Sequence, residues 1–177
     1  MKLETNIKRI EQLIKEKEDA NWEFRCFIKA SDMSIEDIDS VVHEVCDTIS
    51  RHIDCRQCAN CCKVVRPLLQ QKDVKRLARA LNMSEYDFIQ EYLVEGDEDA
   101  DRGYFFRRQP CPFLKKNLCT VYPSRPHDCR SYPHLYKKEF IFRVNQAYFN
   151  CSVCPIVYNV YEGLKQRLWD RRQRMST

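Results

Sequence analysis

Four cysteines fall within eight residues, Cys55-Arg56-Gln57-Cys58-Ala59-Asn60-Cys61-Cys62. Two residues between successive cysteines let a chain wrap one metal centre, and the amides of such a loop can point at the sulfurs and ease their negative charge. Two overlapping CxxC units with an adjacent fourth cysteine make a strong signal. Arg56, Gln57 and Asn60 are poor material for an apolar core, so a merely buried cysteine cluster is the weaker reading. Side chains at neighbouring positions usually diverge, so Cys61 and Cys62 are expected to point apart, ligating different metals or dividing ligation from packing.

Two further groups lie downstream. Cys111-Pro112-Phe113-Leu114 is followed by Cys119 and then Cys129, and Cys151-Ser152-Val153-Cys154-Pro155 is another CxxC, closed by proline as in some ferredoxin-type motifs. The spacings within 111–129 are loose and gain weight only beside the first run. The nine candidate metal ligands are therefore Cys55, Cys58, Cys61, Cys62, Cys111, Cys119, Cys129, Cys151 and Cys154. Nine thiols do not divide evenly into two four-ligand zinc sites. An iron–sulfur cluster tolerates an odd count, because one iron can stay open, and the triple at 55, 58 and 61 resembles cluster ligation more than zinc-ribbon knuckles. Soft thiolates suit both, so the expected cofactor is an iron–sulfur cluster, favoured, or zinc. Cys26 and Cys46 stand apart in helical segments and are expected to be small buried residues.

The run CRQCANCC, the later CPFLKKNLCTVYPSRPHDCRSYP and the helical pattern QKDVKRLARALNMSEYDFIQEYL between them resemble the YkgJ-type CxxCxxCC cysteine-cluster family of zinc- or iron-chelating domains. The resemblance covers residues 55–155. It rests on the eight-residue cysteine run, the CPFL segment, and the RPxxCRxYP pattern at Arg125, Pro126, Cys129, Arg130, Tyr132 and Pro133. It implies a cysteine-chelated metal or iron–sulfur centre and little about reaction. A more distant relation, the flagellin lysine N-methylase, implies S-adenosylmethionine chemistry beside an iron–sulfur cluster, although three glycines leave little room for a glycine-rich nucleotide loop. Lys63, after the double cysteine, stands where relatives carry small or varied residues. Three functions stay open: a metal-binding module, a protein-modifying enzyme of the lysine N-methylase kind with unknown catalytic residues, and a structural zinc interaction module.

Other polar residues near the cysteines have bland and chemical readings. Arg125 and Arg130 flank Cys129 and either offset thiolate charge or pair with Asp128 and the acidic 96–101 stretch; the pairing is slightly preferred. Tyr122 and Tyr132 pack or shield the loop. His127 and His134 sit beside Cys129 and are secondary ligand candidates, whereas His43 and His52 read as structural or solvated. Lys165, Arg167, Arg171, Arg172 and Arg174 read as the basic end of a solvated helix.

The elements that must position these groups are helical first. With 177 residues, 44% hydrophobic and 32% charged, the chain supports a real core, and only three glycines argue against an all-β design. Helices are expected over 1–20, 34–52, 71–82, 84–94 and 155–173, strands over 103–107 and 139–144, and irregular chain over 54–66 and 96–101. Proline density (Pro110, Pro112, Pro123, Pro126, Pro133) excludes a long helix from 110–134. The expected fold is α+β, mainly α: a helical N-terminal half, a cysteine-rich, loop-heavy metal-binding half and a short hairpin. The expected divisions are a helical segment 1–53, a cysteine-cluster domain 54–155 and a C-terminal helix with a basic tail 156–177, all in one compact domain. The start lacks the apolar run of a signal peptide or anchor, so the expected compartment is the cytoplasm, where clustered thiols read as ligands rather than disulfides. A net charge of +4 gives no argument for nucleic acid. The expected partner is an unidentified protein or small molecule, with no membrane.

Overall fold

Apolar residues at helical spacing, with few glycines to interrupt them, make helices the dominant element, and the computed structural model describes them over residues 3–96 and 102–169. The fold is α+β and mainly α, with two two-stranded antiparallel sheets among the described residues. The chain divides into two compact units, one made of residues 1–54 and 133–177, the other of residues 55–132.

The first unit is helical. α1 (Ile7–Glu16) starts where the Asn6 side chain accepts the Arg9 amide at 3.2 Å. It stops at Lys17, whose backbone leaves the helical region, and α2 (Glu18–Lys29) follows. The helix expected over 1–20 is thus two helices, and the break lets Ile10 and Phe24 both be fully buried. α3 (Ile35–Ser50) begins as expected at Ser34, which accepts the Asp37 amide and donates to its carboxylate at 2.7 Å. Its stripe of Ile38, Val42, Val45 and Ile49 is buried.

Residues 139–144 correct the expected strand. They open α9 (Phe140–Cys151), whose buried residues Phe140, Val144, Ala147 and Cys151 recur every three to four positions. The alternation Phe140, Phe142, Val144 imitates a strand over five residues, but Phe142 is left 72% exposed. The N-terminus of α9 has no side-chain cap of its own. The buried carboxylate of Asp39 supplies one from α3, accepting the amides of Glu139 at 2.7 Å and Phe140 at 2.8 Å.

α10 (Pro155–Leu164) has proline in its first turn and is buried along nearly its whole length, packing on α9 and α3; a π-helical turn, Lys165–Trp169, follows. The rest of the expected 155–173 helix, and Arg171, Arg172 and Arg174, lie outside the described residues. Gly163 permits the close approach to α3: a Cβ there would lie 2.8 Å from Val45 Cγ1. Valine has little rotamer freedom with which to yield. Gly163→Ala is therefore expected to lower stability by about 2 kcal/mol, read as a lower urea midpoint with an unchanged slope.

The second unit is built on α6 (Gln71–Ala80) and α7 (Glu85–Tyr92), close to the expected helices. Ser84 caps α7 by accepting the Asp87 amide at 3.0 Å. β1 (Leu93–Glu95) and β2 (Tyr104–Phe106) pair antiparallel, Leu93 opposite Phe106. Residues 97–101 of the expected acidic loop lie outside the described residues. Val74, Leu77, Phe88, Leu93, Phe106 and Phe113 form the centre of a core on which the cysteine-bearing loops rest. No helix among the described residues is long and apolar enough to cross a membrane.

Candidate metal centre

The cysteine run is not irregular, as its sequence suggests, but two short helical turns, α4 (Cys55–Cys58) and α5 (Asn60–Val64). They meet at Ala59, whose φ of 50° and ψ of 18° place a buried alanine in the left-handed region. This conformation is uncommon outside glycine, asparagine and aspartate, and it reverses the chain within one residue. The reversal lets cysteines from both turns face the same side: Cys55, Cys61 and Cys62 line one cavity, while Cys58 is not among its lining residues. Cys61 and Cys62 do not diverge as expected; the Cys61 thiol is hydrogen-bonded to the Cys62 sulfur.

The second segment reaches the cavity as a hairpin. The Cys111 amide donates to the Cys62 carbonyl at 2.8 Å, joining the two cysteine segments backbone to backbone. β3 (Leu114–Lys115) and β4 (Leu118–Cys119) are joined by Lys116 and Asn117, both at positive φ, the pattern of a type I′ turn. The Asn117 side chain donates to the Gln57 carbonyl at 3.3 Å, tying the hairpin tip back to α4. Phe113, between the two cysteines, is buried against Phe88, Tyr92 and Phe106, with ring centroids 5.1–6.3 Å away. It anchors the hairpin to the core while Cys111 and Cys119 face the cavity.

The third segment is α8 (His127–Ser131), which carries Cys129. It is held by a residue the sequence reading passed over. Asp73, on α6, is fully buried and accepts from the amides of Gln70 (3.1 Å) and His127 (3.0 Å) and from the Arg76 guanidinium (2.6 Å). Arg76 also donates to the carbonyls of Ser124 (3.2 Å) and Arg125 (2.8 Å). One ion pair thus fixes the loop that leads into Cys129. A carboxylate on the buried stripe of a helix, one position before Val74, was the available signal.

Burial pushes the Asp73 carboxyl up, but the hydrogen bonds from Gln70, Arg76 and His127 more than offset it, leaving it below the ordinary aspartate range. The shift is downward, so its contribution to stability is full above the unfolded value near pH 4 and is lost as pH falls through the folded value. Asp73→Asn is expected to lower the stability of this unit by about 3 kcal/mol at pH 7, because it strands the Arg76 charge. In urea titrations the gap between variant and parent should narrow below about pH 4. A gap that stays constant with pH would contradict this assignment.

Six of the nine predicted cysteines, Cys55, Cys61, Cys62, Cys111, Cys119 and Cys129, line this one cavity of about 390 Å³. Cys151 and Cys154 belong to the helical unit and are buried; the Cys151 thiol donates to the Ala147 carbonyl at 3.3 Å. Cys46 is buried as expected, but Cys26 is exposed. His127 is exposed and does not line the cavity; His134 is buried in the helical unit.

The cavity's thiols differ in how readily they ionise. The hydrogen bond from Cys61 brings the Cys62 thiol down to about 7 against the opposing effect of burial, helped by the charges of Arg125 and Lys63. Lys63 also donates to the Cys58 carbonyl at 3.4 Å. Burial pushes Cys111 up to about 11 and Cys129 to about 12, and raises Cys119 as well; the charge of a neighbouring thiolate adds to each. The amides of Phe113 and Leu114 point at the Cys111 sulfur and that of Val121 at Cys119, in the manner that eases charge on a ligating thiolate. Without a cation, the cavity favours the thiolate of Cys62 and opposes those of Cys111, Cys119 and Cys129. A bound metal cation reverses that balance.

Arg125 sits with its guanidinium carbon 3.7 Å from the Tyr122 ring centroid, and its buried Nε has no hydrogen-bond partner among the described residues. Arg130 donates to the carbonyls of Arg125 (3.1 Å) and Pro123 (2.5 Å). Of the two readings for these arginines, Arg125 follows the offset of thiolate charge, and Arg130 braces the loop. Among the described residues no three Cys, His, Asp or Glu side chains are drawn together as the shell of a single ion. The thiols are distributed around a wall instead. The donor set is nonetheless soft and sulfur-rich, with the Arg125 guanidinium in the same cavity wall, which fits a thiolate-bound metal.

A cavity walled by thiols from three loops defines a cysteine-cluster protein. The model of the CxxCxxCC family, described as "Putative zinc- or iron-chelating domain", matches residues 54–155, more than half of the chain, and the chain belongs to this family. No curated protein and no solved structure matches it.

Proposed function

We propose that this protein binds an iron–sulfur cluster in the thiol cavity, with Cys55, Cys61, Cys62, Cys111, Cys119 and Cys129 as the principal donors and Cys58, in the same unit, as a further one. The observation that carries the reading is the gathering of six cysteines from three separated segments on one cavity wall. Two features support a cluster over zinc. A single zinc ion calls for four donors in a tight tetrahedron, whereas among the described residues no three candidate donors are drawn together as the shell of one ion. The thiols also outnumber the donors one zinc ion takes. When bound, such a cluster would supply electron transfer or an open iron for substrate.

The chain's own residues would hold and tune the cluster. Arg125 and Lys63 lessen the net negative charge of the thiolates, amide groups of the hairpin point at sulfur, and Phe106, Phe113 and Val121 close the cavity with apolar surface. Apolar walls limit water access and so influence potential. The compartment proposed is the reducing cytoplasm, where the thiols stay available, and the partner is a protein or a small molecule. The test is the spectrum and metal content of protein purified without oxygen. A brown sample with a broad band near about 400 nm and matching iron and sulfide is expected from cluster chemistry. A colourless sample with stoichiometric zinc would overturn the cluster and leave zinc chelation by the same thiols.

A further inference from the structure

A second concavity lies on the outer face of α6. Lys72, Lys75, Arg76 and Arg79 recur at i, i+3, i+4 and i+7 and so share one side of the helix, over about 10 Å of its length. With Ala80 and Ser124 they line a cleft of about 570 Å³. Its lining holds no acidic side chain and no aromatic ring. Arg76 is already bound to Asp73 and to the Ser124 and Arg125 carbonyls, which fixes its place in the floor. Lys72, Lys75 and Arg79 are exposed, and among the described residues none of them forms an ion pair. Asp73, in the first turn of α6, is taken by Arg76 at 2.6 Å, and Glu85 accepts from the Gln71 side chain at 2.8 Å. Three uncompensated cations on a concave wall focus positive potential and favour an anion there.

We propose that this cleft binds a short chain of phosphate groups, either inorganic polyphosphate or the di- or triphosphate of a nucleotide. The proposal is independent of the metal in the thiol cavity. A linear array of cations meets a linear array of phosphate charges, whereas a single phosphate or sulfate reaches one or two of them. The lining offers no ring for bases to stack on, which sets it apart from single-strand nucleic-acid channels.

The test is calorimetric titration of the full chain with tripolyphosphate, ATP, adenosine, orthophosphate, a single-stranded oligonucleotide and an oligoglutamate peptide. Tripolyphosphate and ATP are expected to bind and adenosine not to bind. Equal affinity for the first two assigns the phosphate chain alone, and tighter ATP assigns a nucleotide. The triple variant Lys72→Gln, Lys75→Gln, Arg79→Gln should weaken tripolyphosphate roughly tenfold, the loss of three exposed ion pairs. Its thermal unfolding and metal content should match the parent, since none of the three side chains is buried or lines the thiol cavity. Unchanged affinity in the triple variant, no heat with either polyphosphate, or tighter binding of the oligonucleotide or the peptide than of tripolyphosphate would each overturn the proposal.

Discussion

Cys62→Ser is expected to lower the metal content of the purified chain at least roughly tenfold, because loss of a mere hydrogen-bond partner to a metal ligand already costs about 10–100-fold in affinity. Cys62 is where the first cysteine run is joined to the Cys111 segment. Its thiol receives the hydrogen bond from Cys61 and feels Arg125 and Lys63, and its carbonyl accepts the Cys111 amide at 2.8 Å. Of the cavity thiols with a shifted value it is the one displaced downward, to about 7, so it is the first to present a thiolate to an incoming cation near neutral pH. Serine keeps the backbone bond to Cys111 and removes only the sulfur. Cys26→Ser, at an exposed cysteine in α2, is the matched control and should leave metal content unchanged. Equal metal in both variants, measured by elemental analysis after gel filtration, would exclude Cys62 as a donor.

Removing the metal should loosen the cysteine unit and spare the helical one. Structural metals in small domains contribute about 10–16 kcal/mol of apparent binding energy that is also folding energy. Residues 55–132 hold two sheets of only two or three residues per strand, short helical turns at Ala59 and His127, and a modest core around Phe113. Residues 1–54 and 133–169 have α10 buried in an apolar surround and the Asp39 cap on α9. After chelation, amide exchange is expected to accelerate on α4, α5, the β3–β4 hairpin and α8 while α3, α9 and α10 keep their protection. α6 and α7, the longest helices of the cysteine unit, should show an intermediate change. Uniform protection with and without chelator would contradict a stapling role for the metal.

Much of this was legible in the residues, and the rest failed for definable reasons. Helices with capping side chains and regular apolar stripes, such as α3 at Ser34 and α7 at Ser84, could be placed to within a few residues. The cysteine run announced its chemistry, but not that Ala59 would adopt the left-handed conformation and turn Cys55, Cys61 and Cys62 to one side. That conformation depends on contacts from other segments and leaves no mark on a non-glycine residue. The 139–144 stretch misled because five residues of alternating apolar character fit either period; Ala147 and Cys151, too far along to weigh in a short window, decide for helix. The role of Asp73 is invisible locally. It acts on His127, 54 positions away, and on Arg76, which holds Ser124 and Arg125.

The central claim is that thiolates of one cavity hold metal, and X-ray absorption at the edge of the bound metal tests it most directly. In protein purified without oxygen, the account predicts nearest neighbours that are sulfur, at about 2.3 Å, with a further iron shell if the metal is a cluster, and loss of the sulfur signal in Cys62→Ser. Nearest neighbours dominated by nitrogen or oxygen, or a chain that retains no metal at all, would contradict it.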